Sequence, residues 1–392
     1  MMKNFFLVCI AIYSIACNTI TAQTNRNINR AQQTLDSIYK YYGIKNSQLL
    51  REHYPFKDDY KADYLGGGEN SNKANPYAYL WPFSGSLSAS VAVYENTKGK
   101  QTLKDINSKV LIGLAEYFDK REPVGYASYV NSAPQSDRFY DDNVWLGIDF
   151  TDLYLLTKDK KYLEKALEIW AFVESGMDDK LGGGIYWCEQ RKESKNTCSN
   201  APSVVYLAKL YEATKDKKYL SQAQDLYKWT QQNLIDWTDY VYFDNVNLKG
   251  EVDKRKYAYN TGQMIQAGAL LYKLTKNKQY LTDAQNAAKG GFNHFFYDGK
   301  DKESGASIKI LRTSNNWFIA VMMRGFVELY QIDKNKIYVD AFQKNLDHAW
   351  KHMRESNGLF NKDWSGIKQE NSKWVLDQFA IVEMYSKMAH IK

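Results

Sequence analysis

Apolar positions along this chain fall into two alternating helical patterns. In 161–175 the apolar residues Tyr162, Leu163, Ala166, Leu167, Trp170 and Val173 share one face, with Lys and Glu opposite, as in a helix with one wet side. Stretches such as Trp317-Phe318-Ile319-Ala320-Val321-Met322-Met323 and Val204-Val205-Tyr206-Leu207-Ala208 are instead apolar nearly all round, so they must be buried. Counting through the chain predicts inner helices near 81–97, 142–157, 200–214, 260–275, 315–331 and 373–388. Outer helices are predicted near 28–43, 101–119, 161–175, 218–234, 279–297 and 336–353. Six of each in alternation predict an all-α fold, an (α/α)6 barrel closed from six helical hairpins. An open superhelix of two-helix repeats is the alternative. Closure is favoured because both terminal helices, Leu35 to Tyr42 and Trp374 to Met388, carry apolar faces that an open stack would leave in water.

A repeated phrase supports this count. TKDKKYL stands at 157–163 and 214–220, TKNKQYL at 275–281, DKNKIYV at 333–339 and a weaker TKGKQTL at 97–103. The equivalent residues Thr102, Tyr162, Tyr219, Tyr280 and Tyr338 are 60, 57, 61 and 58 residues apart, a period too long for the common two-helix solenoids. These phrases are short polar inner-to-outer turns. Outer-to-inner links are long and rich in Gly, Trp, Asn and Asp: 44–80, 120–141, 176–199, 235–259, 298–314 and 354–372. Parallel inner helices gather all six long links at one mouth, where function is expected.

The candidate chemistry lies where the second long link meets its inner helix, in FYDDNVWLG at 139–147. A single Asp at a helix start is an ordinary N-cap, and the chain has other pairs at Asp58-Asp59 and Asp178-Asp179. What sets Asp141 and Asp142 apart is context: Phe139, Tyr140 and Trp145 surround them with rings and Asn143 adds a neutral hydrogen-bonding group. Two carboxylates packed together cannot both ionise cheaply, and a helix N-terminus favours one as the anion. One nucleophile and one acid follow, the retaining glycosidase scheme when the groups sit roughly 5 to 5.5 Å apart.

FYDDNVWLG resembles the Asp-Asp signature of glycoside hydrolase family 76, the endo-acting α-1,6-mannanases. LGGGIYW at 181–187, YAYNTGQMIQAG at 257–268 and GLFNKDWSG at 358–366 resemble the same family in order. The resemblance spans nearly the whole mature chain and implies an (α/α)6 barrel. It also implies Asp141 as nucleophile, Asp142 as general acid/base and a mannan backbone or manno-oligosaccharide as substrate. The family often has a second Trp where this chain has Tyr186, and a bulkier aliphatic or Gln where it has Thr261. These departures bear on subsites. Candidate substrate-binding residues at the mouth are Trp81, Tyr140, Asn143, Tyr186, Trp187, Tyr259, Asn260, Asn316, Trp317 and Trp364. Tyr186 and Trp187 are either stacking platforms or a hydrophobic plug, and Asn260 either caps its helix or contacts sugar, as the resemblance implies. Two other readings remain: a hydrolase of unsaturated uronyl sugars on the same barrel, which the Asp pair argues against, and a non-catalytic mannan-binding relative.

Composition changes this picture little. Aromatics reach 15%, including 31 Tyr and 10 Trp, which suits both sugar stacking and a large core. The formal charge of +7 is spread as single Lys residues in polar turns, so nucleic acid is not an expected partner. Lys3 ahead of an apolar run from Phe5 to Ile15 reads as an export signal over 1–22, leaving one domain over 23–392. Cleavage after Ala22 would give a soluble exported protein. Ser14-Ile15-Ala16-Cys17 resembles a lipoprotein box that would lipidate Cys17 and anchor the protein to a membrane. Either route leads to the periplasm or cell surface, with a monomer expected. Cys188 and Cys198 could close a small disulfide loop in an oxidising compartment. No cofactor or metal is expected, since His348 and His352 lack the Glu that a zinc-protease motif needs.

Overall fold

The computed structural model of the protein describes residues 23–62, 64 and 74–391, so the leader expected over 1–22, with Cys17, lies outside the described residues. The first outer helix, α1, covers 23–42. Inner helices are α2 (Leu80–Thr97), α4 (Tyr140–Thr157), α6 (Thr197–Thr214), α8 (Ala258–Thr275), α10 (Asn316–Asp333) and α12 (Val375–Met388). Between them run the outer helices. α3 has α-helical ends Lys100–Asp105 and Leu111–Ala115 around a π-helical turn Ile106–Val110, followed by α5 (Lys160–Glu174), α7 (Lys217–Leu234), α9 (Lys278–Phe295) and α11 (Lys336–His352).

Each inner helix packs on the next, and α12 packs back on α2, so the ring is closed as an (α/α)6 barrel. The outer layer closes too: on α1, Asn27 bonds Gln343 of α11 at 2.8 Å and Tyr39 packs edge-on against Phe379 of α12. Small residues let the staves touch. A Cβ at Gly262 of α8 would lie 2.2 Å from the Cα of Met322, and one at Gly325 would lie 2.2 Å from the Gly262 carbonyl oxygen, so α8 and α10 meet backbone to backbone. No helix among the described residues is long and apolar enough to cross a membrane.

The repeated polar phrase has a physical meaning. Lys98, Lys158, Lys215, Lys276 and Lys334 all adopt left-handed φ between 48 and 64°, ending an inner helix in one residue. At Thr157 the hydroxyl donates to the Leu153 carbonyl and accepts the Asp159 N–H, while the Asp159 side chain caps α5 at the Lys161 N–H. Thr214 with Asp216 and Thr275 with Asn277 repeat the pattern.

At the opposite mouth the links carry short antiparallel pairs. Ring closure is sealed there by β1 (His53–Tyr54) against β4 (Lys373–Trp374), and the link after α7 forms a hairpin of β2 (Val241–Asn247) with β3 (Val252–Lys256). Amide side chains in the first turns of inner helices fasten the links. Asn143 bonds both N–H and C=O of Tyr126, Asn200 does so with Ile185, and Gln378 with Phe360.

Candidate active site

Four inner helices, α2, α4, α6 and α8, begin one to three residues earlier than their apolar runs suggest, whereas α10 and α12 begin one and two residues later. The N-cap of α4 is therefore Phe139, with no side-chain cap, and Asp141 and Asp142 lie inside its first turn. Backbone pairing of Phe139 with Cys188, and of the Tyr140 N–H with the Trp187 carbonyl at 2.9 Å, brings the third long link alongside. The Trp187 indole then donates to Asp141 Oδ2 at 3.1 Å, while the Asp142 backbone N–H donates to Asp141 Oδ1 at 3.1 Å. The Cys198 thiol, from the first turn of α6, faces the Asp141 carboxylate and favours its charged form.

The two carboxyls are unequal. Burial pushes Asp141 above the usual carboxylate range, but its donors Cys198, Trp187 and the helix N–H pull it back down. Asp142 is only 8% exposed, and both burial and the neighbouring charge of Asp141 push it upward. Asp142 is therefore the proton holder of the pair and Asp141 the anion.

Both line a cleft of about 810 Å³ at the mouth. One wall is aromatic: Tyr259 stacks on Phe318 at 4.1 Å with 7° between planes, and Trp81 continues the stack 6.1 Å beyond. Trp374 stands edge-on to Trp81 at 5.1 Å. The β2–β3 hairpin contributes Asp244 and Arg255, which face each other at 3.4 Å. The floor is Trp145, one turn below Asp142, with the buried Trp317 edge-on at 5.8 Å. Arg324 lies over both indoles and forms a two-pronged ion pair with Glu383 at 2.5 and 2.7 Å. Below that pair a separate cavity of about 590 Å³ opens at the end of the polar turns.

Of the sequence candidates, Asp141, Asp142, Trp81, Trp187 and Tyr259 meet in this cleft. The others stand behind it, each for a local reason. Asn143 is fully buried, its amide spent on Tyr126. Tyr140 stacks on Phe172 at 5.0 Å, away from the opening. Tyr186 is 1% exposed and gives its hydroxyl to Asp178. Asn260 is buried against Asp244. Asn316 accepts the Trp364 indole N–H at 3.0 Å, which fixes both as packing, and Trp317 supports the floor. The expected disulfide is absent: Cys188 and Cys198 are both free, because the Phe139 bridge turns the first thiol towards Gln190 at 3.9 Å while the second faces Asp141. Among the described residues no group of three or more His, Cys, Asp or Glu is placed to hold a metal.

Several cleft residues escaped the sequence reading: Asp244, Arg255, Tyr257, Phe318, Trp374 and Asp377. Asp377, in the first turn of α12, accepts the Asn316 backbone N–H at 2.5 Å, and burial raises its pKa to about 7. Its place at an inner-helix start was the available signal.

The sequence model of the family described as Glycosyl hydrolase family 76 matches residues 51–391. A family 76 mannosidase from Bacteroides thetaiotaomicron VPI-5482 is 32% identical with a TM-score of 0.83, over 93% of this chain and 98% of that one. An inactive variant of the α-1,6-mannanase of Salegentibacter sp. HEL1_6, with two adjacent aspartates changed to asparagine and solved with α-1,6-mannotriose, has a TM-score of 0.74. At 22% identity, over 93% of this chain and all of that one, its likeness shows the fold alone. The meiotically up-regulated gene 191 protein of Schizosaccharomyces pombe is 29% identical over 261 residues, 59% of this chain, and the match spans 58% of the length of that relative.

Proposed function

The chain belongs to glycosyl hydrolase family 76, and from that membership we propose that it cleaves α-1,6-mannosidic linkages within mannan backbones with retention of configuration. The observation that carries this reading is the inequality of two adjacent carboxyls in an aromatic cleft. In the first step the Asp141 carboxylate attacks the anomeric carbon while Asp142 gives its proton to the departing glycosidic oxygen. A mannosyl ester on Asp141 results, and the leaving chain departs as an alcohol. In the second step Asp142, now ionised, takes a proton from water, whose oxygen displaces Asp141 and restores both groups.

The Trp187 indole and the Cys198 thiol suit the first step, since they steady the anion without protonating it. The stacked wall of Tyr259, Phe318 and Trp81 suits uncharged pyranose faces, and the 32% identity to the Bacteroides thetaiotaomicron mannosidase supports a mannose-based substrate. Export to the periplasm or cell surface, as a soluble or lipid-anchored protein, belongs to the same reading, because a polymeric substrate lies outside the cell.

The test is incubation with linear α-1,6-mannan, following products by chromatography and the new reducing end by NMR. Short oligomers born in the α configuration are expected, and Asp141→Asn or Asp142→Asn should lower turnover by about a thousandfold or more in folded protein. Binding without release would make the protein a glycan-binding relative, and a β-configured first product would overturn the retaining scheme.

A further inference from the structure

Glu52 lies just before β1 at the closing seam of the ring, is 1% exposed, and takes no part in the chemistry above. Its Oε1 accepts the hydroxyls of Tyr60 at 3.1 Å and Tyr64 at 2.6 Å and the Trp374 indole N–H at 3.0 Å. Its Oε2 accepts the Asn75 amide at 3.0 Å and the Tyr79 backbone N–H at 3.0 Å. The Trp374 indole at Oε1 and the Tyr79 backbone N–H at Oε2 can only donate, so the ionised carboxylate matches its surroundings and a neutral carboxamide does not. Whichever way a Gln side chain turned, its NH2 would face donors.

Four of the five donors share a second property. Tyr60, Tyr64, Tyr79 and Trp374 all line the cleft that holds Asp141 and Asp142, while Glu52 itself does not. The Tyr64 ring is edge-on to Trp81 at 5.4 Å and tilted on Trp374 at 5.3 Å, and Trp81 is edge-on to Trp374. Three rings at steep angles form a corner whose walls suit the face of one pyranose and the hydroxyl edge of the same sugar. The corner belongs to the α2–α12 side of the ring, whereas the carboxyl pair is on α4.

We propose that Glu52 is a positioning residue that fixes Tyr64 and Trp374 against Trp81, so that this corner seats a mannosyl unit removed from the linkage being cut. The inference rests on the mannan reading for its ligand, and on the hydrogen bonds of Glu52 for its mechanism. Donors deprived of their acceptor would leave the corner loose, and a loose corner weakens ground-state binding of a distal sugar before it touches the bond-breaking step.

The experiment compares wild type, Glu52→Gln and Tyr64→Phe on linear α-1,6-manno-oligosaccharides of increasing length, with thermal unfolding of each. In Glu52→Gln, KM for oligomers long enough to reach the corner should rise about tenfold with kcat changed by less than about threefold, and KM for the shortest cleaved oligomer should hold. Tyr64→Phe keeps the ring and removes one donor, so it should show the same pattern at about two- to threefold, and it decides the matter if Glu52→Gln fails to fold. Unchanged KM in folded variants, or a fall in kcat at constant KM, overturns the proposal. Were wild type to cleave no mannan, the functional reading would fail by itself. Quenching of tryptophan fluorescence by α-1,6-mannotriose, compared between wild type and Tyr64→Phe, would then test the corner: weaker binding in the variant sustains it, and equal binding or none removes it.

Discussion

Burying two carboxyls in the first turn of α4 costs the fold free energy that packing does not recover. Asp142 binds its proton more tightly folded than unfolded, so its contribution to stability declines as pH rises from the ordinary carboxylate range through its raised value. Asp142→Asn removes that ionisation. At neutral pH the variant should unfold at a higher temperature, by about 1 kcal/mol or a few degrees, while losing activity; a lower midpoint by calorimetry would contradict this. Turnover needs Asp141 ionised and Asp142 protonated, so kcat/KM should fall on the acid side through the pKa of Asp141 and on the alkaline side through that of Asp142. Because burial raises both, the bell should be displaced upward from the range of free carboxyls, and a profile still rising below pH 4 would contradict the assignment. The pair was legible in the sequence because its two members are adjacent letters with aromatic neighbours. Asn143 was misread for a related reason: an amide looks the same whether it faces sugar or clamps the Tyr126 backbone, and only the path of the preceding link distinguishes the two.

Among the elements, the inner-to-outer turns carry opposing contributions that can be separated. Lys215 sits in a left-handed conformation that favours Gly, whereas Asp216 caps α7 through the Lys218 N–H at 2.9 Å. Lys215→Gly should therefore be neutral or stabilising by up to about 1 kcal/mol, and Asp216→Ala destabilising by about 1 kcal/mol. Urea midpoints moving in the same direction for both would contradict this account of the turn. The helices themselves were readable because amphipathic outer and all-round apolar inner patterns differ over several turns. Their starts were not, since Phe139, Asn196 and Tyr257 precede α4, α6 and α8 without a side-chain cap to announce them. The β2–β3 hairpin falls in a stretch the helical patterns read as a link, although buried and partly buried positions alternate along 242–247 and Gly250 turns the chain at φ 83°. Asp244 and Arg255, which ride on that hairpin, were missed with it.

For the whole molecule, closure is the property that matters. α12 packs against both α2 and α10, and β4 just before it supplies Trp374 to the cleft. A chain lacking 375–391 should lose its single cooperative thermal transition and expose apolar faces of α2 and α10; an unaltered melt by circular dichroism would show the ring to be dispensable. That the ring closes was inferable from two apolar terminal helices, whereas the aromatic corner at the seam was not, because Glu52, Tyr64, Trp81 and Trp374 come together only when the first and last links meet. The bottom of the barrel has a further consequence. With Trp145, Trp317 and the Arg324–Glu383 pair set between the upper cleft and the lower cavity, the socket is a dead end. A polysaccharide cannot thread through it like a filament through a needle's eye; it must settle crosswise over the rim, and both fragments must lift away through the doorway by which the strand arrived.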